Sequence, residues 1–159
     1  MLKKMKNNKK GFTLVELIVV LVILAILAAL LIPALTGYID KAKRKSIVAE
    51  TRQVVMAAQT LVDEKYGSNV AGTAVTVGEK DTDITYSQIK ELAEVKGSIE
   101  SVELNSATLG TVNDSHPAGT VVAKVVYTAA NGKSKCTYYE TVPKETKTTD
   151  GNYNVEALK

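Results

Sequence analysis

One acidic residue, Glu16, lies inside an otherwise apolar run and is the residue best placed to do chemistry. A carboxylate in such surroundings is costly unless an opposite charge lies close to it. Cleavage of the chain after Gly11 would give Phe12 a free ammonium group about one helical turn from Glu16. The expected chemistry is an ion pair, formed within one chain or between neighbouring chains, and between chains it would set their axial register. The alternative is an interfacial carboxylate that reaches water and is favoured by the helix dipole.

Other reactive side chains are few and favour a protein that is not an enzyme. The chain has one cysteine, Cys136, and one histidine, His116. One cysteine cannot form an intramolecular disulfide, and these counts exclude a metal site rich in His or Cys. We expect His116 on a turn-like surface loop and Cys136 as a small buried residue. The sequence therefore predicts no catalytic residue, no metal ligand and no cofactor.

The apolar run around Glu16 is long enough to cross a membrane. Of the 24 residues from Phe12 to Leu35, 21 are apolar, and the exceptions are Thr13, Glu16 and Pro33. As a helix this run would be about 36 Å long, against a hydrocarbon core of about 30 Å. The whole chain has a net charge of +3, and its first eleven residues hold five lysines and no acid, so the remainder is −2. This distribution predicts a cytoplasmic N-terminus and argues against a nucleic-acid-binding body.

A second basic run follows the apolar segment, at Lys41, Lys43, Arg44 and Lys45. Its position favours solvated charge at the level of the lipid headgroups. The alternative is a contact with acidic residues of a neighbouring copy. The run weakens the prediction of a cytoplasmic N-terminus, although the basic residues that precede the apolar segment usually determine its orientation.

Residues 9–17, Lys-Lys-Gly-Phe-Thr-Leu-Val-Glu-Leu, resemble the class III signal of type IV pilins and related pilin-like proteins. The matching features are a basic leader ending in Gly11, Phe12 next, Glu16 at the fifth position after the cut, and the apolar helix that follows. The resemblance implies that a membrane prepilin peptidase cuts between Gly11 and Phe12 on the cytoplasmic side. It also implies N-methylation of Phe12 and neutralisation of the Phe12 ammonium of an adjacent subunit by Glu16.

The same resemblance implies a bend in the helix and a set of partners. Pro33 lies where the family commonly has a helix-bending proline, and Gly37 is a second position where the helix is weakened. The alternative for Pro33 is a simple kink in a membrane anchor. The implied partners are further copies in a homopolymer, the prepilin peptidase and N-methyltransferase, an inner-membrane assembly machine with an ATPase, and the membrane as subunit reservoir. No specific nucleic acid is expected. Many Gram-negative members close a C-terminal loop with a disulfide, so the single cysteine favours a Gram-positive source.

Helical periodicity predicts one helix from about Phe12 to Tyr66, apolar all round in its first half and on one side in its second. Two stripes form that side in the second half: Ile47, Val54, Ala58 and Leu61 with Val48, Val55 and Val62 beside them. Gly67 is expected to stop the helix. Thr85 to Gln88 resembles a capping box and predicts a short helix from about Tyr86 to Val95, ended by Gly97. Its inward residues would be Ile89, Leu92 and Ala93.

Alternating apolar residues predict a three- or four-stranded antiparallel sheet wrapped over the amphipathic half of the long helix. The expected strands are 99–104, 121–128 and 135–142, the last two joined by an Asn131-Gly132 turn, with a loop at 144–151 and a last strand at 153–158. In the second strand, Val121, Ala123, Val125 and Tyr127 would face one way, with Lys124 on the opposite face. The predicted fold class is α+β, the pilin fold, in four segments. They are a cleaved leader (1–11), a transmembrane and filament-core half-helix (12–35), an amphipathic half-helix (36–66) and a globular head (67–159).

These features leave three functions open. The leading hypothesis is a structural subunit, a major pilin, of a type IV pilus that serves adhesion, twitching motility, biofilm formation or DNA uptake. Such a subunit would be a single-pass precursor with its N-terminus inside and C-terminus outside, and later part of an extracellular filament. The second is a minor pilin or a pseudopilin of a competence or type II secretion-like system. The third is a signal-anchored membrane protein with an extracellular binding or enzymatic head.

Overall fold

A computed structural model describes residues 11–69 and 73–158 of the chain. The predicted leader lies outside the described residues except for Gly11. The chain divides into two compact units, one ending at Lys41 and the other beginning at Ala42. The elements, in chain order, are α1 (Leu14–Ser68), β1 (Val77–Gly78), β2 (Ile84–Thr85), α2 (Tyr86–Ala93), β3 (Ser98–Leu104), β4 (Val122–Thr128), β5 (Ser134–Tyr139) and β6 (Tyr153–Ala157).

Helix α1 confirms the long predicted helix but ends later than expected. Gly67 lies inside the helix instead of stopping it, because the backbone groups of the last turn remain satisfied. The carbonyl oxygen of Lys65 accepts from the Asn69 N–H at 3.0 Å and from the Ser68 hydroxyl at 2.9 Å. Such bonds satisfy carbonyls that a helix end otherwise leaves without partners.

In the first unit, α1 is apolar on every side and none of its apolar side chains is covered. From Leu14 to Leu35 the large apolar side chains are each 50–73% exposed. The mean hydropathy of the helix reaches 3.3 over 18 residues, and the helix is long and apolar enough to cross a membrane. An apolar surface of this size is unfavourable in water. Lipid or other protein chains must therefore cover it.

In the second unit, α1 buries one stripe in the core of the head, as predicted. Ile47, Val54, Ala58 and Val62 are buried, whereas Leu61 is only partly buried. The same core contains buried residues from the sheet: Val102, Val125, Tyr127 and Cys136. The buried position of Cys136 confirms its predicted role as a small core residue.

The main sheet has four antiparallel strands in the order β3-β4-β5-β6, which confirms the predicted α+β class. The β4–β5 hairpin pairs Tyr127 with Cys136, and Gly132 has a φ of +66° in the predicted turn. Strand β5 stops at Tyr139, three residues before its predicted end. A parallel pair of two-residue strands, β1 and β2, was not predicted, since runs this short leave no periodic signal.

The inward face of β4 differs from the prediction at its first residues. Val122 is 2% exposed, whereas Val121 is only partly buried. The register of β3 against β4 shifts between Glu103 and Leu104, beside the Leu104–Val122 pair. A bulge interrupts the strict alternation of side chains, so the predicted alternation holds only from Ala123 onward.

Helix α2 begins as predicted and ends earlier. The Thr85 side chain accepts from the Gln88 N–H, and the Gln88 side chain accepts from the Thr85 N–H at 2.8 Å, so the capping box is present. The helix ends at Ala93 because Glu94 adopts a left-handed conformation with a φ of 53°. The prediction that Gly97 ends it was wrong, and so was the inward position of Leu92, which is 50% exposed.

One buried side chain, Asn105, holds the long loop between β3 and β4. Its Oδ1 accepts from the backbone N–H groups of Thr120 and Val121, each at 2.9 Å. Its Nδ2 donates to the carbonyl oxygens of Thr111, at 2.7 Å, and Pro117, at 3.0 Å. The loop is thus tied to the body of the head through its main chain.

Gln59 of α1 holds the end of the same loop in a similar way. Its Nε2 donates to the Thr120 carbonyl oxygen at 2.8 Å, and its Oε1 accepts from the Val122 N–H at 2.8 Å. A single amide side chain therefore pairs with the main chain as a neighbouring strand would. This contact attaches the start of β4 to the helix.

Candidate functional site at the start of helix α1

The Gly11–Phe12 peptide bond immediately precedes the first turn of α1. Both residues are exposed, and the Phe12 side chain is 82% exposed. Apart from its chain neighbours, no described residue has an atom within 4 Å of the position that a Gly11 Cβ would take. The bond lies in an accessible segment without regular secondary structure, so a peptidase can reach it.

Glu16 and Thr13 form a capping box at the start of the helix. The carboxylate oxygen Oε2 of Glu16 accepts from the Thr13 N–H at 2.8 Å and from the Thr13 hydroxyl at 2.7 Å. The Glu16 N–H donates in return to the Thr13 Oγ1 at 3.3 Å. The Thr13 carbonyl oxygen accepts the helical bond from Leu17 at 3.3 Å. Glu16 thus satisfies backbone donors that a helix start would leave exposed to lipid.

The sequence interpretation missed this role, although the signal was present. Thr13-Leu14-Val15-Glu16 matches the pattern in which Ser or Thr is followed three residues later by Glu or Gln. The ion pair predicted for Glu16 does not involve Thr13. Both bonds from Thr13 reach Oε2, and within the described ranges Oε1 forms no hydrogen bond.

The ion pair predicted between Glu16 and Phe12 cannot form in the uncleaved chain. The Phe12 nitrogen is then a peptide nitrogen, and it carries no charge. Only hydrolysis of the Gly11–Phe12 bond would convert it into an amine. The cap by Thr13 therefore holds the carboxylate in place before any such partner exists.

The other two predicted site residues, Pro33 and Gly37, are not brought near Glu16. Pro33 lies 17 residues further along α1, or about 26 Å at the helical rise. The helix continues through both residues, and the Thr36 hydroxyl donates to the Ile32 carbonyl oxygen at 2.9 Å. A bend at Pro33 and Gly37 stays a prediction.

Comparison with known protein families identifies this N-terminal segment. The family profile described as the prokaryotic N-terminal methylation motif matches residues 6–32, a range that includes Gly11, Phe12 and Glu16. The chain is also similar to a type IV major fimbrial protein FimA of Dichelobacter nodosus, 38% identical over 66 residues. These matches show that the chain is similar to type IV pilins, and the matched profile lies in its N-terminal segment. Its long N-terminal helix and α+β head are consistent with the pilin fold.

Two further Dichelobacter nodosus proteins of the same name match this pilin-like chain. One is 38% identical over 88 residues, and the other is 44% identical over 62 residues. The three matches cover 41%, 49% and 38% of the chain and 42%, 56% and 39% of the relatives. The chain therefore spans about half the length of the curated relatives it matches. No solved structure matches the chain.

Type IV pilins are structural proteins and not enzymes. Within residues 11–69 and 73–158, no group of three or more His, Cys, Asp or Glu side chains is arranged to hold a metal ion. His116 lies on an exposed loop, where Asn113 Oδ1 accepts from its backbone N–H at 2.9 Å. This position agrees with the predicted surface loop.

Proposed function

We propose that the chain is the major structural subunit of a type IV pilus. The observation that carries this proposal is the methylation motif joined to a helix whose apolar surface from Leu14 to Leu35 is uncovered. A membrane can cover that surface before assembly, and neighbouring copies can cover it afterwards. The three relatives are named major fimbrial proteins, which supports a major over a minor subunit.

Processing would begin with hydrolysis of the Gly11–Phe12 bond by a prepilin peptidase. Water adds across the peptide bond, Gly11 leaves as a carboxylate and Phe12 gains an ammonium group. The same enzyme would then methylate the new amine. The exposure of both residues supports this step, because the scissile bond must enter another protein's active site.

Glu16 would then have two partners, one from its own chain and one from a neighbour. The Thr13 donors hold Oε2 at the helix start, and Oε1 would accept from the Phe12 ammonium of an adjacent subunit. In a water-poor environment an unpaired charge is strongly unfavourable, so subunits whose charges are out of register would be rejected. The ion pair would therefore set the axial register of the filament.

The subunit would enter the membrane with its N-terminus in the cytoplasm and its head outside. Five lysines precede the apolar segment, which supports this orientation by the positive-inside rule. An inner-membrane assembly machine with an ATPase would then move subunits from the bilayer into the filament. Adhesion, twitching motility, biofilm formation or DNA uptake would be properties of the assembled filament.

The test compares substitutions that separate the charge of Glu16 from its capping role. Glu16→Gln keeps an acceptor for Thr13 but removes the charge, whereas Thr13→Val removes the two hydroxyl bonds of the cap and keeps the charge. Both variants and Glu16→Ala should insert into the membrane normally. We expect filament yield to be lost in both Glu16 variants and retained in Thr13→Val. Normal filament yield from Glu16→Gln would refute charge pairing.

Protein from sheared surface filaments tests processing and abundance. Mass spectrometry of its N-terminal peptide should show chains that begin at methylated Phe12. Mature protein that retains Met1 would refute the pilin proposal and favour a signal-anchored membrane protein. A trace quantity in filaments built mainly of another subunit would replace the major-pilin proposal with a minor pilin.

A further inference from the structure

Within the unit that begins at Ala42, α1 has an exposed face opposite its buried stripe. Lys45, Ala49, Arg52 and Met56 recur at spacings of three and four residues and are all exposed, and Met56 is 64% exposed. Residues at this spacing lie on one side of a helix. The two ends of this face differ in charge and polarity.

The end of the face that includes Met56 is apolar with an acidic rim. A groove of about 310 Å³ lies between α1 and α2 and is lined by Gln53, Met56, Ala57, Thr60, Leu92, Ala93 and Glu94. Met56 and Leu92 are large apolar side chains that are at least half exposed there. Glu94 supplies the rim charge, and Glu91 is exposed one turn earlier. We call this surface the acidic groove.

The end of the face that includes Lys45 is basic. A second groove of about 310 Å³ is lined by Lys45, Val48, Ala49, Arg52 and Asp150. The Arg52 guanidinium lies 5.7 Å from the centre of the Tyr153 ring, which holds it on this surface. Two cations outnumber the single carboxylate of Asp150. We call this surface the basic groove.

Each groove has one rim charge, Glu94 in the acidic groove and Lys45 in the basic groove, that forms no ion pair within residues 11–69 and 73–158. Glu94 also has a φ of 53°, a conformation that Gly adopts without strain. A glutamate at this position is therefore not explained by the folding of α2.

We propose that the acidic groove of one copy binds the basic groove of the next copy along the filament. In this contact Glu94 faces Lys45, and Met56 and Leu92 pack on Ala49 and the aliphatic part of Arg52. The two surfaces are different parts of the same unit, so the contact is heterologous. A heterologous contact forms a ring if its rotation closes; if the rotation does not close, one groove stays free at each end and the assembly extends into an open helical polymer. This inference rests on the proposed function, since it names the surfaces through which the heads polymerise.

The test exchanges the charges in the full-length chain and measures the yield of sheared filaments. Glu94→Lys and Lys45→Glu should each lower the yield about fivefold or more, because each places like charges across the contact. The double variant should recover most of the yield, because every contact again pairs opposite charges. Asp81→Lys is the matched control, since Asp81 is also exposed with a φ of 53° and lines neither groove. The control should assemble normally.

A second variant pair excludes misfolding as the cause of lost assembly. Glu94→Gly and Asp81→Gly each relieve a left-handed backbone, so both should raise the thermal unfolding midpoint of the head. Only Glu94→Gly should reduce filament yield. Single charge variants that assemble like the wild type, or a double variant no better than either single one, would overturn the proposed contact. A wild-type chain that forms no filament would overturn the proposed function and this contact together.

Discussion

Tyr127 joins three parts of the head through one hydroxyl group. Its side chain is fully buried on β4. The hydroxyl donates to Glu50 Oε2 of α1 at 2.7 Å and accepts from the Gly97 N–H, before β3, at 2.8 Å. Tyr127→Phe removes both bonds and leaves the ring in place, so it isolates the contribution of this oxygen atom.

The expected cost of Tyr127→Phe follows from these two bonds. A hydrogen bond to a charged group contributes about 1.5–3 kcal/mol, and a buried N–H left without a partner costs about 1–3 kcal/mol. The two terms overlap, because the loosened Gly97 segment can admit water and Glu50 can turn toward solvent. We therefore expect the free energy of unfolding to fall by about 2–4 kcal/mol.

The assay is urea unfolding of the full chain in detergent, followed by near-ultraviolet circular dichroism of the tyrosines. Tyr139→Phe is the matched control, since no hydrogen bond from its hydroxyl is found in the described part of the chain; it should change stability by less than about 0.5 kcal/mol. Glu50→Gln keeps an acceptor for Tyr127 and should cost less than Tyr127→Phe. If Tyr127→Phe is as stable as the wild type within about 0.5 kcal/mol, the hydroxyl does not hold these elements together.

Three further predictions use the same measurement. Gly97→Ala should cost about 3 kcal/mol or more, because the added Cβ would overlap the Thr128 carbonyl oxygen and the Tyr127 hydroxyl; a smaller loss would show that the segment can move away. Asn105→Ala should cost about 2–4 kcal/mol, because several partly buried main-chain groups lose their partners. Aspartate at position 105 should not restore them, as it cannot donate to the Thr111 carbonyl oxygen. Burial, reinforced by the bond to Glu50, raises the pKa of Tyr127 far above its ordinary value of 10.0. The unfolded chain ionises there and the folded chain does not, so the contribution of Tyr127 to stability should be constant below about pH 10 and fall above it by up to about 1.4 kcal/mol per pH unit. Tyr127→Phe should reduce that slope, and an unchanged slope would contradict the assignment.

The elements that the sequence predicted well have strong local signals. The apolar run and the stripe around Ile47 and Val54 are long enough for periodicity to identify α1. The Thr85–Gln88 pair marks the start of α2 because a capping box is defined within four residues. The hairpin between β4 and β5 follows from the β-branched residues of β4 and a turn that contains Gly132.

The features that were missed depend on contacts between distant parts of the chain. Asn105 looks like a loop residue in the sequence, and only the fold surrounds it with main-chain groups. The buried position of Val122 depends on a bulge in the β3–β4 pairing, which no local pattern indicates. Gly97 looked like a helix stop, but the close approach of Tyr127 explains why a glycine is needed there. At the functional site, Gly11, Phe12 and Glu16 formed a local motif, whereas the acidic groove requires α1 and α2 to be packed together.

The way in which the loop between β3 and β4 is held has a consequence for how this surface can evolve. Asn105 and Gln59 bond to carbonyl oxygens, which every residue supplies, and to N–H groups, which every residue other than proline supplies. The exposed side chains between them, such as Ser115 and His116, contribute nothing to these two attachments. Substitutions at such positions can change the exposed surface of the head while β4 keeps its place. The exposed side chains of this loop can therefore vary without loss of the stability of the head.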